Sequence, residues 1–518
     1  MSIFGLKRGK MPHSTYPFLN SNNLTTEFGA LTPTLVHPIY PGDSIRRARI
    51  QLETDFAPLV APIRQSCKAY IHYYFVPSRI CSDFGDYEKF ITKEYENYGT
   101  QPMLRSYTTV GNIIQAASSF HSTPNYRASA LKGTFCDYMR VQLGEDTDYH
   151  LSNEVVIVEP FIAAFKVWLD HYVNQQTGAI CYTSTGYEYY PYRVLKLYYE
   201  MHLSKMDYNN VFDVNSSWTT NYQGDAYLIK DVEALFIWTK RVNYTRDYFT
   251  SAFPDDISEG SSQPLGSTID ELRQNLATQE YKEKWALSGK SLGDWLWNFF
   301  RVKSKNQVLN RTEFLGGGRV PLKVSNVFQT SQTTEASPLA NYAGYGRVNG
   351  GIGFGKRYFD EHGWLIGFLF FVPKPSYFQG IPRFYSETKQ EDLYNEVFDG
   401  LGYQAVRCGE LYQKNDVSQN RLPLGYQPKY FHLKCLTNET HGDFCYSMLP
   451  WHTGRKFAFR PSLQNVQQCT AVSDGINRIF AYSGDDEDIN DFNKIWCTVY
   501  HKIKIRRKMR YFGNPYLK

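Results

Sequence analysis

The sequence predicts a mainly β protein, an antiparallel sandwich that carries large insertions. Three observations predict it. Apolar or alternating runs of strand length occur at 69–76, 364–372, 430–436 and 495–505. Long Gly-, Pro-, Asn- and Ser-rich stretches separate them, and such stretches break regular structure. No helical pattern alternates with the runs as βαβ repeats require. The 41 tyrosines and 34 phenylalanines fit the same class, because aromatic residues favour strands and recur at protein interfaces.

The elements follow in chain order. The run 69–76 stops at Pro77, which has no N–H to give to a ladder. A helix is predicted from Pro160, a residue suited to the first helical position. Phe161, Phe165, Trp168, Leu169 and Tyr172 then fall on one face. A second helix is predicted behind a capping box of Thr268 and Glu271, with Ile269, Leu272 and Leu276 on one side. The run 364–372 is continuously apolar and also stops at a proline, Pro373. The two Phe-Val-Pro endings, at Phe75 and Phe371, are read as coincidence, since no regular repeat is visible. The last run alternates with period two, which places Lys502, Lys504 and Arg506 on one face and Ile503 and Ile505 on the other.

With 518 residues, 42% hydrophobic and 21% charged, the chain can bury a sizeable core, as several domains or as one β domain with very long loops. No run of 18 or more apolar residues occurs, so no membrane insertion is expected. The first residues, MSIFGLKR, lack a secretory apolar core, so the protein is expected to stay where it is made. Nine cysteines without a C-x-x-C pair suit neither zinc nor a disulfide framework; they read as reduced, mostly buried small hydrophobes.

Several motifs imitate chemistry without completing it. Residues 350–357, GGIGFGKR, approach a phosphate-binding P-loop, but Arg357 stands where Ser or Thr must meet Mg²⁺, and the stretch reads as a flexible loop. Asp486, Asp488 and Asn490 open like an EF-hand, yet Asp491 and Cys497 replace its Gly and Glu, so a solvated acidic turn is expected. His150, His171, His202, His362, His441 and His452 have no metal-ligand spacing and are expected to be hydrogen-bonded or exposed. No G-x-S-x-G elbow occurs. No catalytic residue, cofactor site or metal site is assigned.

One set of residues does suggest binding. Lys502, Lys504 and Arg506 continue into Arg507, Lys508 and Arg510, and a second basic group, Lys7, Arg8 and Lys10, lies near the start. Beside the plain reading of a solvated strand face, these are the candidate contacts for nucleic-acid phosphates, which position a chain without reading its sequence. Nearby aromatics such as Tyr511 and Phe512 offer faces on which single-stranded bases stack.

Residues 247–254, DYFTSAFP, followed by Leu272-Arg273 and Gln279, resemble the signature of the major capsid protein of the Microviridae, small icosahedral single-stranded DNA phages. Other segments agree in the same chain order. They are GALTPTLVHPIYPGDSIR (29–46), IHYYFVPSR (71–79), PFIAAFKVWLDHY (160–172), FLGGG (314–318), EHG (361–363) and YFQGI (377–381). LG (401–402), ELY (410–412), WH (451–452) and NP (514–515) complete the series. Segments 90–155 and 177–235 are the least family-like. Many relatives carry a long insertion after the DYFT segment that builds a three-fold protrusion. Only 255–268 separates Pro254 from Ile269 here, so no protrusion from that loop is expected.

The resemblance implies a structural protein and no enzyme. The implied fold is a single viral jelly-roll domain over 1–518: eight antiparallel strands, with long insertions at about 90–155, 177–235 and 254–350 that contain a few helices. The termini, 1–28 and 506–518, are expected to be arms facing the interior or neighbouring subunits. The implied partners begin with the chain itself, as pentamers of a sixty-copy T=1 shell, and a circular single-stranded DNA genome. A small basic packaging peptide, scaffolding and spike or pilot proteins, and a host surface receptor are further partners. For the packaging peptide the same residues, Lys7, Arg8, Lys10, Lys502, Lys504, Arg506, Arg507, Lys508 and Arg510, are the alternative candidate contacts. Sixty copies at +5 each supply about 300 positive charges, too few for a genome of thousands of phosphates, which is why a separate basic peptide is expected. Assembly in the bacterial cytoplasm and residence in the virion follow. The alternative from another class is an aromatic-rich β-sandwich that binds carbohydrate or hydrolyses glycosides with two carboxylates.

Overall fold

The computed structural model describes residues 13–81, 107–120, 131–144, 154–172, 235–253, 311–328, 342–388, 393–399, 402–470, 475–481 and 493–509, together with 152, 181–182, 188–189 and scattered positions of 274–301.

Nine strands build two antiparallel sheets. They are β1 (Ser14–Thr26), β2 (Thr32–Ile39), β3 (Ser44–Phe56), β4 (Cys67–Pro77), β5 (Glu313–Pro321), β6 (Lys323–Phe328), β7 (Tyr342–Phe354), β8 (Gly363–Pro373) and β9 (Ile495–Arg507). The larger sheet runs β1-β9-β3-β7-β6, with Arg357–Tyr358 added to the start of β3; the smaller runs β2-β8-β4-β5. Three of the four strand-like runs are therefore strands. The fourth, 430–436, is not: Tyr430 turns into the left-handed region at φ 63°, and a 3₁₀ turn, Phe431–Leu433, follows. That conformation breaks a ladder whatever the apolar content.

The sheets pack face to face over one core. Ile50, Leu52 and Phe56 of β3 and Val499, Ile503 and Ile505 of β9 meet Ile71 and Tyr73 of β4 and Leu365, Leu369 and Phe371 of β8. Phe56 and Phe371 touch edge to face across the interface at 5.9 Å. Each such side chain contributes about 1.5–3 kcal/mol when fully buried.

The smaller sheet is covered on its far side as well. Helices α1 (Val110–Phe120) and α2 (Glu159–His171) and the segment 235–244 bury Tyr74, Val76, Ile366, Phe368, Phe370 and Val372 in a second core. The predicted helix at 160–172 is α2; Phe161, Phe165, Trp168 and Leu169 are all buried, and Trp168 Nε1 donates to the Arg241 carbonyl at 2.7 Å. The predicted capping box at Thr268 and Glu271 lies outside the described residues, although Gln274, Ala277, Thr278 and Glu280 just after it are helical.

This layering explains two sequence patterns. β8 is apolar at nearly every position because both faces are buried. β9 alternates because only one face is buried.

A third core joins residues 248–252 to the stretch between β8 and β9, and the family-like motifs assemble it. Tyr248 of DYFT donates to Glu410 of ELY at 2.8 Å, and Tyr377 of YFQGI donates to Asp247 at 2.7 Å. Gln379 and the backbone of Phe457 exchange hydrogen bonds at 3.0 and 2.7 Å. Gly380 sits against the backbone of Glu410, where a Cβ would stand 1.9 Å from the carbonyl oxygen. Residues more than a hundred positions apart in the chain are thus locked together around Tyr248, Tyr377, Val406 and Leu411.

Residues 313–321, 323–328 and 342–354, whose glycines blend with the loop composition around them, form three strands, all but the last few residues within the stretch assigned to the third insertion. The near P-loop, 350–357, is no flexible loop: most of it is the end of β7, hydrogen-bonded along β3 from Gly350↔Leu52 to Phe354↔Ala48. Residues 254–269, the loop of the expected missing protrusion, lie outside the described residues, as does the acidic turn at 486–490.

Candidate nucleic-acid interface

The outer face of the larger sheet is the one broad sheet face left open among the described residues. Register fixes what it displays. Lys504 stands between Pro17 and Arg47; Lys502 stands between Leu19 and Arg49, with Gly353 beyond; Tyr500 stands between Ser21 and Gln51, with Gly351 beyond. Successive rows are about 7 Å apart along the strands. Further along, Thr498 faces Glu53 and Trp496 faces Asp55. The face grades from basic, through an aromatic and polar band, to acidic.

Two rows pair like charges across neighbouring strands, Lys502 with Arg49 and Lys504 with Arg47. Directly opposed like charges destabilise a sheet. All four side chains are exposed, and none makes an ion pair among the described residues. At the acidic end, by contrast, Asp55 is paired with Arg347 and accepts a hydrogen bond from Tyr345 at 2.6 Å. A register shift between Lys504 and Ile505 leaves Arg46 as the extra residue of a bulge, also exposed. The basic end therefore meets no acid among the described residues, and an anion from outside would relieve it.

The predicted basic residues separate into groups. Lys502, Lys504 and Arg506 share the open face as expected, with Ile503 and Ile505 buried behind them. Arg507 stands apart. Its guanidinium clamps Asp43, a residue 1% exposed, with Nε–oxygen distances of 2.9 and 3.1 Å, and donates to the Pro38 carbonyl at 3.1 Å. It also lies over the Tyr40 ring at 5.0 Å. This pair ties the PGD turn, where Gly42 has φ +91°, to the end of β9. Lys508 is exposed beside Gly42. Lys7, Arg8, Lys10 and Arg510, and the aromatics Tyr511 and Phe512, lie outside the described residues.

Sequence reading overlooked Arg47 and Arg49. Their signal was present: Arg47-Ala48-Arg49-Ile50-Gln51-Leu52 alternates with period two, as β9 does. The same face carries a shallow groove of about 1050 Å³ between β1 and β7, lined by Leu19, Arg49, Gln51, Gly351, Gly353, Tyr500 and Lys502 among others. Beneath it, His501 points into the core at 2% exposure, edge-on to Tyr73 at 6.0 Å, and burial lowers its pKa to about 4.

The other candidate chemistries gain no geometry. No group of three potential metal ligands occurs among the described residues. His171 bonds Thr312 at 2.9 Å, His441 faces Glu439 at 3.1 Å, and His452 bonds the Phe444 carbonyl at 2.8 Å. Of the eight cysteines whose side chains are described, six are buried and all eight are free thiols, as the small-hydrophobe reading expects. No described helix is long and apolar enough to cross a membrane.

Comparison with known proteins decides the family. Residues 11–142 and 219–517 match the family model described as "Capsid protein (F protein)". The chain belongs to this family of capsid proteins. It is 32% identical over 212 residues to a capsid protein VP1 of Bdellovibrio phage phiMH2K, covering 40% of this chain and 39% of that one. It is 28% identical over 287 residues to a VP1 of Chlamydia phage 1, covering 53% and 46%, and 28% identical over 222 residues to a VP1 of Spiroplasma virus 4, covering 41% and 40%. The matched stretches thus span less than half the length of each relative. These relatives place the chain with the Microviridae major capsid proteins, as its motifs suggested, and membership makes it structural rather than enzymatic; the carbohydrate-active alternative falls away. Of the segments read as least family-like, 143–155 and 177–218 fall in the unmatched stretch 143–218, whereas 90–142 and 219–235 match the family model.

Proposed function

We propose that this capsid protein self-associates, as pentamers of a sixty-copy T=1 particle, around a circular single-stranded DNA genome, with the open face of its larger sheet turned to that DNA. The observation that carries the DNA reading is the pair of like-charged rows, Lys502 with Arg49 and Lys504 with Arg47, on a sheet face with no acid of its own at that end. Phosphates would neutralise both rows without sequence readout.

The strand orders support the jelly-roll reading. Setting β6 aside, β1-β9-β3-β7 faces β2-β8-β4-β5, and every connection except β4 to β5 crosses between the sheets. Self-association is supported by the third core's surface. Phe384, Tyr385, Val397, Leu436, Tyr446 and Phe459 are 56–100% exposed within that one region. Apolar side chains gathered in this way mark an interface, and copies of the same chain are the partner a shell requires. The insertion loops would meet scaffold, spike proteins and host receptor. The packaging peptide, being basic, would sit away from the like-charged rows.

Light scattering of the native protein, followed by electron microscopy of the same fraction, tests assembly. Pentamers or closed uniform particles are expected, with scaffold partners supplied where needed. A chain that stays single in their presence contradicts the reading. Particles of the triple variant Lys502→Glu, Lys504→Glu, Arg506→Glu should fold and close yet contain less DNA; a normal genome content would remove the DNA role from this face.

A further inference from the structure

Glycines inside a strand weaken it, so each one needs a reason. Most of those in β7 have one. A Cβ on Gly346 would press on Phe56 at 3.1 Å, one on Gly350 would meet Val320 at 2.7 Å, and one on Gly353 would meet the Ala48 carbonyl at 2.8 Å. Gly351 has none among the described residues. Its Cβ would meet nothing closer than the Ile50 carbonyl at 3.6 Å, an ordinary contact, and its φ is not positive. Gly351 lies on the open face, on the floor of the groove, in the row of Gln51 and Tyr500. A strand glycine marks a bulge, a tight bend or the close approach of a ligand or another backbone, and the register at Gly351 runs without a shift.

We infer that this groove is a nucleotide site: it takes one unpaired base of single-stranded DNA against Tyr500, while Lys502 and Arg49 in the adjoining row hold the phosphate. The inference rests on the reading of this face as the DNA surface and adds a base contact to it. Tyr500 is 40% exposed beside the groove and offers a stacking face. Gln51, next to it on β3, presents an amide that can donate to and accept from a base edge. Strands lie about 4.8 Å apart, so Tyr500 and Gly351 are about 10 Å apart with Gln51 between them, and a base against Tyr500 would lie over Gln51 toward the open floor at Gly351. The groove, about 1050 Å³ and open to solvent, is roomy enough for a base to lie along it without being enclosed. Such stacking tolerates any base. The groove would therefore hold unpaired DNA in preference to a duplex, whose bases are not free to stack on it.

The test compares the full-length protein's binding of an oligothymidylate with that of an abasic oligonucleotide of equal length and charge. A stacked base should give about tenfold tighter binding. Tyr500→Ala should bring the oligothymidylate down to the abasic level and leave abasic binding and its salt dependence unchanged. Gly351→Leu, which fills the floor and leaves Tyr500 and the cations in place, should do the same. Equal binding of the two probes by the unaltered protein, or a preference that survives in either variant, overturns the base site while the phosphate reading stands. Absence of salt-dependent binding of both probes overturns the two together.

Discussion

Asp43 carries a carboxylate at 1% exposure, and Arg507 is what makes that tolerable. Removing one partner of a buried pair leaves an uncompensated charge, so Asp43→Ala should cost about 3–5 kcal/mol, read as a lower urea midpoint. A loss below about 1 kcal/mol would mean the pair is solvated. His501 gives a pH signature. Its imidazole takes up a proton near pH 6.5 when unfolded but only near pH 4 when folded. Between those values the unfolded chain binds more protons, so stability falls as pH falls and levels off below pH 4. The loss from His501 alone is roughly 3 kcal/mol. His72, lowered to about 4 by burial, acts in the same window. Urea midpoints at pH 7 and pH 4.5 should differ less in His501→Leu than in the parent; an unchanged difference would show that His501 is not the buried titrating group. At this scale the sequence was legible only in part. In the run Arg506-Arg507-Lys508 nothing local distinguishes Arg507 from its neighbours; its partner is 464 residues away. Arg47 and Arg49 were legible in principle, because they alternate with buried Ala48 and Ile50.

Among the elements, β9 and β3 state the trade between stability and function most openly. Lys502→Glu or Lys504→Glu would turn a like-charged cross-strand pair into an opposite one. Each should raise stability by about 0.2–1 kcal/mol and weaken DNA binding at the same time. Thermal unfolding and DNA binding measured on one preparation check both signs; a variant that loses stability and keeps binding contradicts the assignment. Four cations on phosphates also predict a slope of log affinity against log salt of about −3 for single-stranded DNA. A slope near zero would exclude these contacts. The clearest elements in the sequence were those whose burial matched a simple pattern: β9 alternates, β8 is apolar throughout, and α2 shows a helical stripe behind Pro160. β7 was misread as a loop because its glycines lower strand propensity, while close approach to Phe56, Val320 and Ala48 is what requires several of them. The run at 430–436 has the composition of a strand, but the backbone turn at Tyr430 is set by its packing partners.

For the whole molecule, the long insertions rather than the sandwich decide how copies would meet. Many of the exposed aromatic and aliphatic side chains, Phe384, Tyr385, Val397, Leu436, Tyr446 and Phe459 among them, lie in the region of the third core, whereas the like-charged rows lie on the open sheet face. A subunit of this design can close a shell through one surface and hold nucleic acid with another. The net charge of +5 is small because 51 acidic residues nearly balance 56 Lys and Arg, so the like-charged rows are a local excess rather than a property of the whole chain. Motif order was enough to read the family from sequence. Which surface does what was not, since that depends on register between strands hundreds of residues apart. The most direct test is an electron-microscopy map of purified particles that resolves the subunit's orientation. The account predicts that the face bearing Arg47, Arg49, Lys502 and Lys504 lines the lumen, with density against those side chains. A map with that face on the outer surface, or buried between subunits, would contradict it.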